Sequence, residues 1–422
     1  MPKIKINDII VYMDQLYDVI IIGGGASGMM ASIFCARNGY KTLVIEHNEK
    51  LGKKLFITGK GRCNLTNDSS IENHLNNIVT NNKFMYTALN KFSAQDTMEF
   101  FESLGLELKT ERGNRVFPMS DKSSDVIKTL NKVMDDFGVK TALYTEVEKI
   151  SKENNLFNIW CRSNIKYTTS RVIVATGGIS YKATGSTGIG YEIAKSFGHH
   201  IIEPKSALCP ILIDEDISSL NGLSLKNIEL SIEINGKKIS QFGEMMFTFN
   251  SLTGPTALTL SSLINKYDYK GKKISIDFKP ALSFEQLDDK FIREFTDYSK
   301  KDLKTYIKSL LPNKICDYFM SRLGIINKKL SDMTKTERHT LINSLKKFDF
   351  SVKTLDNVNV GIITSGGVDI KEIDSKTCES KLVSNLYFVG EILDVDALTG
   401  GYNLQIAWST AYLAGNNLKG KL

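Results

Sequence analysis

The sequence predicts an α/β protein: a parallel-sheet domain assembled from two separated stretches of chain, with an antiparallel β insert and a run of helices between them. Three observations carry this. A continuous apolar run, Leu16–Ile22, feeds straight into Gly23–Gly28 and then a helical pattern, which is the order strand, tight turn, helix around a buried parallel strand. Near residue 203 the text changes to alternating strands with Asn-Gly turns at 221–222 and 235–236, the style of an antiparallel barrel or sandwich. From Gly366 the Gly-rich style of the first half resumes. The boundaries read from these shifts are 16–203 and 363–422 for the parallel-sheet domain, 204–283 for the β insert, 284–346 for the helices and 347–362 for a returning strand.

The individual elements follow in order. Residues Met1–Gln15 read as a leader outside the fold, with Met13 as an alternative start. Helices are expected over Ala26–Asn38, Asn82–Lys91, Ala94–Leu104 and Asp125–Phe137, and a second strand over Lys41–Ile45, ending at Glu46. Leu51–Asn67 reads as a Gly- and Lys-rich loop. Gly113-Asn114 turns a short hairpin. Residues 140–175 read as three short strands followed by the buried strand Arg171–Ala175. In the Lys-rich part, Leu303, Tyr306, Ile307 and Leu310 repeat at helical spacing.

Composition narrows the function classes. A chain of 422 residues with 42% apolar and 24% charged residues is ordinary globular material for two or three domains. Its longest apolar runs fall far short of the ~20 residues a membrane helix needs. The N-terminus lacks a signal-peptide pattern, so a cytoplasmic location is expected. The six cysteines, at 35, 63, 161, 209, 316 and 378, form no CxxC pair and have no metal-ligand spacing, so reduced thiols and no metal are expected. The net charge is +7, but no basic block reaches five or six consecutive residues. A small-molecule substrate is therefore expected, and nucleic acid is not. The oligomeric state is not readable.

Four runs carry chemistry. In the first, Asp18-Val-Ile-Ile-Ile-Gly23-Gly-Gly25-Ala26-Ser27-Gly28, Gly23 permits the tight turn, Gly25 lets backbone approach a pyrophosphate, and Gly28 lets helix and strand pack closely. The helix start offers free N–H groups to phosphate, and Glu46 is placed to accept from ribose hydroxyls. This is the fingerprint of a Rossmann dinucleotide-binding domain.

The second run is Thr58-Gly-Lys-Gly61-Arg62-Cys63-Asn64-Leu-Thr-Asn67. It superficially resembles an NTPase phosphate loop, but Gly61 stands where Ser or Thr is required. It reads instead as a loop that wraps pyrophosphate and a flavin edge. Cys63 reads as a small buried residue in preference to a reactive thiol. In the third run a buried strand ends in Ala175-Thr176-Gly177-Gly178, the chain's return to the cofactor, and Tyr181 to Tyr191 follows as a Gly-rich loop with no strand leading into Gly185.

In the fourth run a strand delivers Gly390-Glu391, whose acid can bond a ribityl hydroxyl. Gly400-Gly401 then opens a helix whose N-terminal amides suit the electron-rich edge of a flavin. A nicotinamide needs no such element, so this run selects FAD. His199-His200 follow a helix end at Gly198 and read as capping residues.

Taken together, GGGASG, GKGRCNLTN, RVFPMSDKSSDV, ATGGISY with TGSTGIGY, FNSLTGPTALTLS, TSGGV and GEILDVDALTGGYNLQIAWS resemble the bacterial BaiN-like NAD(P)/FAD-dependent oxidoreductases, also described as aminoacetone-oxidase-like flavoproteins. They fall in order over nearly the whole chain. The resemblance implies a glutathione-reductase-type FAD-binding Rossmann domain, interrupted by a small β-barrel that carries a nested helical subdomain. By position it implies FAD contacts at Ala26, Ser27, Glu46, Lys53, Arg62, Asn64, Val147, Glu391, Asn403, Leu404 and Gln405. Two positions depart from the family pattern: Phe249 stands for a usual His, and Ala397 for a common Gly.

The resemblance also implies a reductase of an activated C=C bond in a small apolar substrate, fed by diffusible NAD(P)H. An oxidase passing electrons to O₂ and an RNA-associated or redox-sensing flavin binder are the competing readings. No second strand–GxGxxG–helix unit is present, so a nicotinamide donor is expected to share the substrate's route to the flavin. Proton-donor candidates are Tyr181, Tyr402, Arg62 and Asp394, because they lie in the expected flavin loops.

Overall fold

A computed structural model describes residues 16–162 and 165–418, so the leader and the alternative start at Met13 lie outside the described residues. The described residues divide into two compact units, one holding those up to Lys205 and from Ile363 onward, the other Ser206–Ile362.

The first unit is built on a five-stranded parallel sheet. Its strand order is Leu386–Phe388, Val172–Val174, Val19–Ile22, Thr42–Ile45, Lys140–Ala142. The three inner runs are rich in β-branched apolar residues because both faces are covered, and every residue in them and in the edge strand Leu386–Phe388 is buried. Of the two edge strands only Lys140–Ala142 is exposed. The helix Ala26–Arg37 packs against Tyr402–Asn416 at very short range: a Cβ on Gly415 would stand 2.6 Å from Phe34 Cβ. A three-stranded antiparallel sheet (Thr66–Asn67, Arg115–Pro118, Leu108–Glu111) and a meander (Val147–Glu153, Leu156–Cys161, Ile165–Thr169) complete the unit.

The second unit is a closed six-stranded barrel, which decides between the barrel and the sandwich. Its order is Ile211–Ile213, Ser251–Thr253, Lys237–Phe247, Ser224–Ile234, Lys273–Asp277, Phe348–Leu355. Four helices (Phe284–Asp297, Leu303–Leu310, Asn313–Leu323, Lys335–Lys346) lie in the connection between its last two strands and share one apolar core with it. Ser283 with Gln286 and Thr334 with Glu337 form capping boxes that start two of them.

Three helices were not expected. Lys53–Gly61 occupies the segment read as a loop, Ile71–Asn77 follows an N-cap at Ser70, and Pro255–Ile264 sits among barrel strands. The last carries a start signal that strand alternation hid: Gly254 followed by Pro255 at the first helical position. The first is broken inside, with Thr58 extended and Gly59 and Lys60 left-handed, so the Gly-rich text does mark irregular backbone but not a loop throughout. No helix among the described residues is long and apolar enough to cross a membrane.

Candidate cofactor and active site

The parallel strands Val19–Ile22, Thr42–Ile45, Val172–Val174 and Leu386–Phe388 end together, and their following turns hold the expected site residues. Gly23 has φ +103°, and a Cβ there would stand 2.6 Å from Ala175 O. A Cβ on Gly28 would stand 1.9 Å from Gly23 O, so the start of helix Ala26–Arg37 can approach the turn only without a side chain. Gly25 differs. Its φ is −80°, which any residue adopts, and nothing lies within 4 Å of where its Cβ would be. Neither backbone nor neighbours demand glycine there, which leaves room for a group outside the chain. Met29 N bonds Gly25 O, so the helix leaves the N–H groups of Ala26, Ser27 and Gly28 without intrahelical acceptors. The residues present fit the pyrophosphate of FAD.

Glu46 is buried beside this turn. Its Oε2 accepts from Gly24 N (2.7 Å), and its Oε1 accepts from Asn48 N (2.9 Å) and Asn48 Nδ2 (2.7 Å), with His47 Nδ1 at 3.1 Å. Burial pushes the carboxyl up, but these hydrogen bonds outweigh it and hold it below the usual range. Glu46 therefore ties the Gly-rich turn to the end of the second strand, in addition to its expected role at a ribose. Lys53 Nζ donates to Asn48 Oδ1 (3.0 Å) and Glu49 Oε2 (3.1 Å) next to it. Val147 is buried at the start of the meander, two residues after Thr145, whose N bonds Glu46 O (3.0 Å).

Around the third and fourth runs, Gly177 has φ +70° and Gly390 φ +77°, and a Cβ on Gly390 would meet Ser27 Oγ at 2.6 Å. Ala175 N continues the sheet to Ile22 O (2.8 Å), which places Thr176 at the strand's exit. Glu391 Oε1 accepts from Lys54 Nζ (2.9 Å), Ser180 Oγ (3.0 Å) and Thr364 N (2.9 Å), and its Oε2 from Lys54 Nζ (2.7 Å). Sequence reasoning missed Lys54, Ser180 and Thr364. Lys53 and Lys54 are adjacent in the chain, yet one serves the Glu46 side and the other Glu391, a division visible only once the segment is known to be helical.

The helix Tyr402–Asn416 starts at Gly401, with φ +102°, where a Cβ would overlap the Thr66 backbone at 2.3 Å. Gln405 N bonds Gly401 O, so the N–H groups of Tyr402, Asn403 and Leu404 have no intrahelical acceptor. With its amide oriented to satisfy both ends, Asn64 accepts from Gly401 N (3.0 Å) and donates to Thr66 O (3.1 Å). Asn64 thus fixes the helix start. Gly61, with φ +85°, lies in the open part of the same segment.

Several sequence expectations need correction. Gln405 is fully buried and cannot offer its side chain to a cofactor. Oε1 accepts from Thr66 and Thr97 hydroxyls (2.6 and 3.0 Å), and Nε2 donates to Phe92 O (3.0 Å) and Ser409 Oγ (2.9 Å). Asn403 uses its side chain to brace the backbone of Ala397 and Leu398, so its remaining contribution is its N–H. Arg62 lies 4.1 Å over the Phe117 ring, with its guanidinium bound to Glu111 and Asp121. Tyr402 is buried edge-on to His74, with its hydroxyl accepting from Asn73 Nδ2 (3.0 Å). Asp394 holds Asn81 through Oδ2 (2.9 Å) and its backbone carbonyl (2.7 Å). These three side chains position the loops, whereas Tyr181 sits partly exposed on a turn with left-handed backbone, φ +53°. Cys63 is fully buried, and burial pushes its thiol up to about 12, so it is no reactive thiolate.

The sheet, the open glycine at a helix start, the acid at the end of the second strand and the second helix start define a flavoprotein oxidoreductase with a Rossmann-type FAD domain. The chain belongs to the HI0933-like protein Rossmann-domain family, whose sequence pattern matches residues 17–417. It is 30% identical over 405 residues to the ribosomal RNA dihydrouridine synthase of Haemophilus influenzae, covering 95% of this chain and 98% of that one. It is equally 30% identical over 405 residues to the 3-dehydro-bile acid Δ(4,6)-reductase of Clostridium scindens, covering 94% and 97%. The ribosomal RNA dihydrouridine synthase of Escherichia coli is 28% identical over 410 residues, covering 96% and 98%. Among solved structures, 3-ketosteroid-Δ4-(5α)-dehydrogenase from Rhodococcus jostii aligns with a TM-score of 0.54 at 15% identity, covering 97% of this chain and 98% of that one, a likeness of fold alone.

Proposed function

We propose that this protein is an FAD-dependent reductase of a C=C bond conjugated to a carbonyl, that the uracil ring of ribosomal RNA is its substrate, and that NAD(P)H is its electron donor. The observation that carries the reading is a shared bond type. Full-length relatives at 28–30% identity are named for saturating uridine or for reducing a Δ(4,6) bile acid. In uracil the C5=C6 bond is conjugated to the C4 carbonyl; in the bile acid the ring double bonds are conjugated to the 3-oxo group. One chemistry serves both: a hydride to the β-carbon and a proton to the α-carbon, with NAD(P)H plus H⁺ giving NAD(P)⁺ and the saturated product.

FAD bound at the fingerprint supplies the hydride chemistry. The chain's own residues bind and orient it. Gly25 leaves space for its phosphates, Glu46 anchors the turn beside its ribose, and the amides of Tyr402, Asn403 and Leu404 present the positive end of a helix to developing negative charge.

A second reading, a small apolar enone as substrate, is favoured by the equal identity to the bile-acid reductase. Anaerobic incubation with NADH or NADPH and protein-free ribosomal RNA, followed by nuclease digestion and mass spectrometry, separates the two. Uridine that gains two hydrogens supports the RNA reading. Unchanged uridine alongside reduction of a 3-oxo-4-ene steroid overturns it in favour of the second.

A further inference from the structure

The net charge of +7 is not spread along the chain. Residues 298–329 hold eight Lys or Arg against two Asp, a net +6, so the other 390 residues carry only +1. The excess lies in the Lys-rich part of the sequence without forming a long consecutive run, and the fold brings its members together. The segment entering helix Leu303–Leu310 runs beside residues 327–330: Leu303 N bonds Lys328 O and Leu330 N bonds Lys301 O, both at 2.9 Å, and Asp302 bridges Lys329. Lys300, Lys301, Lys328 and Lys329 thereby become neighbours. Lys304 and Lys308 follow one turn apart on the same helix. Leu303, Tyr306 and Ile307 fill the core, which leaves the lysines to the outer side.

The local acids do not balance this edge. Asp302 pairs with Lys329 (3.1 Å), Asp317 with Lys304 (2.6 Å) and Glu337 with Lys328 (2.7 Å). Among the described residues no carboxylate pairs with Lys300, Lys301 or Lys308. Two large apolar side chains stand exposed here, Ile326 at 83% and Tyr298 at 45%, with Lys301 Nζ 3.9 Å from the Tyr298 ring centre. A solvated lysine face ordinarily carries interspersed acids. An unbalanced one beside an exposed aromatic ring matches what single-stranded nucleic acid requires, cations for phosphates and a ring for a base.

We infer that this lysine edge of the helical subdomain binds the phosphate backbone of the RNA substrate, an inference that rests on the uracil reading above. Backbone contacts set position and carry no sequence information, so this edge is expected to bind RNA without regard to its sequence.

The test is a salt titration of binding to fluorescein-labelled oligouridylate, comparing the FAD-loaded wild type with a Lys300→Ala, Lys301→Ala, Lys308→Ala triple variant. Losing three phosphate contacts at ~0.7 each lowers the slope of log K against log salt by about 2 and weakens low-salt binding by about tenfold or more. An unchanged thermal denaturation profile certifies the variant's fold, and the corresponding triple Lys→Arg variant is expected to bind like wild type. Wild-type affinity and slope in the alanine variant would overturn the inference, as would lysine-dependent binding to phosphatidylserine vesicles in preference to the RNA. A protein that binds oligouridylate through these lysines but never saturates uridine keeps this inference and removes the proposed substrate.

Discussion

Glu46→Ala is expected to lower FAD affinity by about tenfold or more and to weaken the fold at the same time. Hydrogen bonds to a buried carboxylate are worth ~1.5–3 kcal/mol each, and the substitution strips an acceptor from Gly24 N and Asn48 as well as from the ribose. Isothermal titration with FAD, alongside thermal denaturation of the apoprotein, reads the two losses separately. If affinity is unchanged while stability falls, Glu46 serves only the turn.

The pair with His47 adds a pH signature. The hydrogen bond from Glu46 raises the His47 pKa, so its contribution is complete below the unfolded His value of ~6.5 and fades as pH rises through the folded value. The Glu46 pKa is lowered, so its contribution is complete above the unfolded value of ~4.3 and fades as pH falls through the folded one. Both are in force between those two values, and His47→Ala should flatten the alkaline side of the stability profile and lessen the acid side as well, because His47 is itself a cause of the lowered Glu46 pKa.

Gly25→Ala and Gly28→Ala are expected to fail in opposite ways. At Gly28 the new methyl would lie 1.9 Å from Gly23 O, a backbone atom, so the turn or the helix must move. The cost falls at the upper end of overpacking, ~3 kcal/mol, with or without FAD. At Gly25 the backbone accepts alanine and no protein atom is within 4 Å, so apoprotein stability should be unchanged. The methyl instead fills the space assigned to the pyrophosphate, and the loss of even one charge-assisted bond there is a tenfold or larger fall in affinity. Denaturant unfolding of the two apoproteins, followed by FAD titration of the Gly25 variant, checks both. Normal FAD binding by Gly25→Ala would place the phosphates elsewhere.

Much of the fold was legible because it rests on local order. The buried run before Gly23, the acid after the second strand and the change of style near residue 203 each follow from chain-local physics. What was not legible depends on distant partners. Arg62 meets Glu111 and Asp121, 49 and 59 residues away, and nothing near GKGRCN announces two carboxylates waiting for it. Gln405 looks like a cofactor residue at a helix start until Thr66, Thr97 and Phe92 are seen to consume its whole amide. Lys53 came from the family resemblance, and a loop reading of the segment gave no facing direction for its neighbour Lys54, whereas a helix sends adjacent residues to different partners. The lysine edge escaped for the same reason: its members are separated in sequence and joined by hydrogen bonds between residues 301–304 and 327–330.

The most direct measurement is an anaerobic spectral titration of the purified protein. NADH or NADPH should bleach the yellow flavin absorbance, and ribosomal RNA added without oxygen should restore it in proportion to the uridine saturated. A flavin that regains its colour only when air is admitted, with no change in the RNA or in an enone offered in its place, would contradict the account and mark the protein as an oxidase.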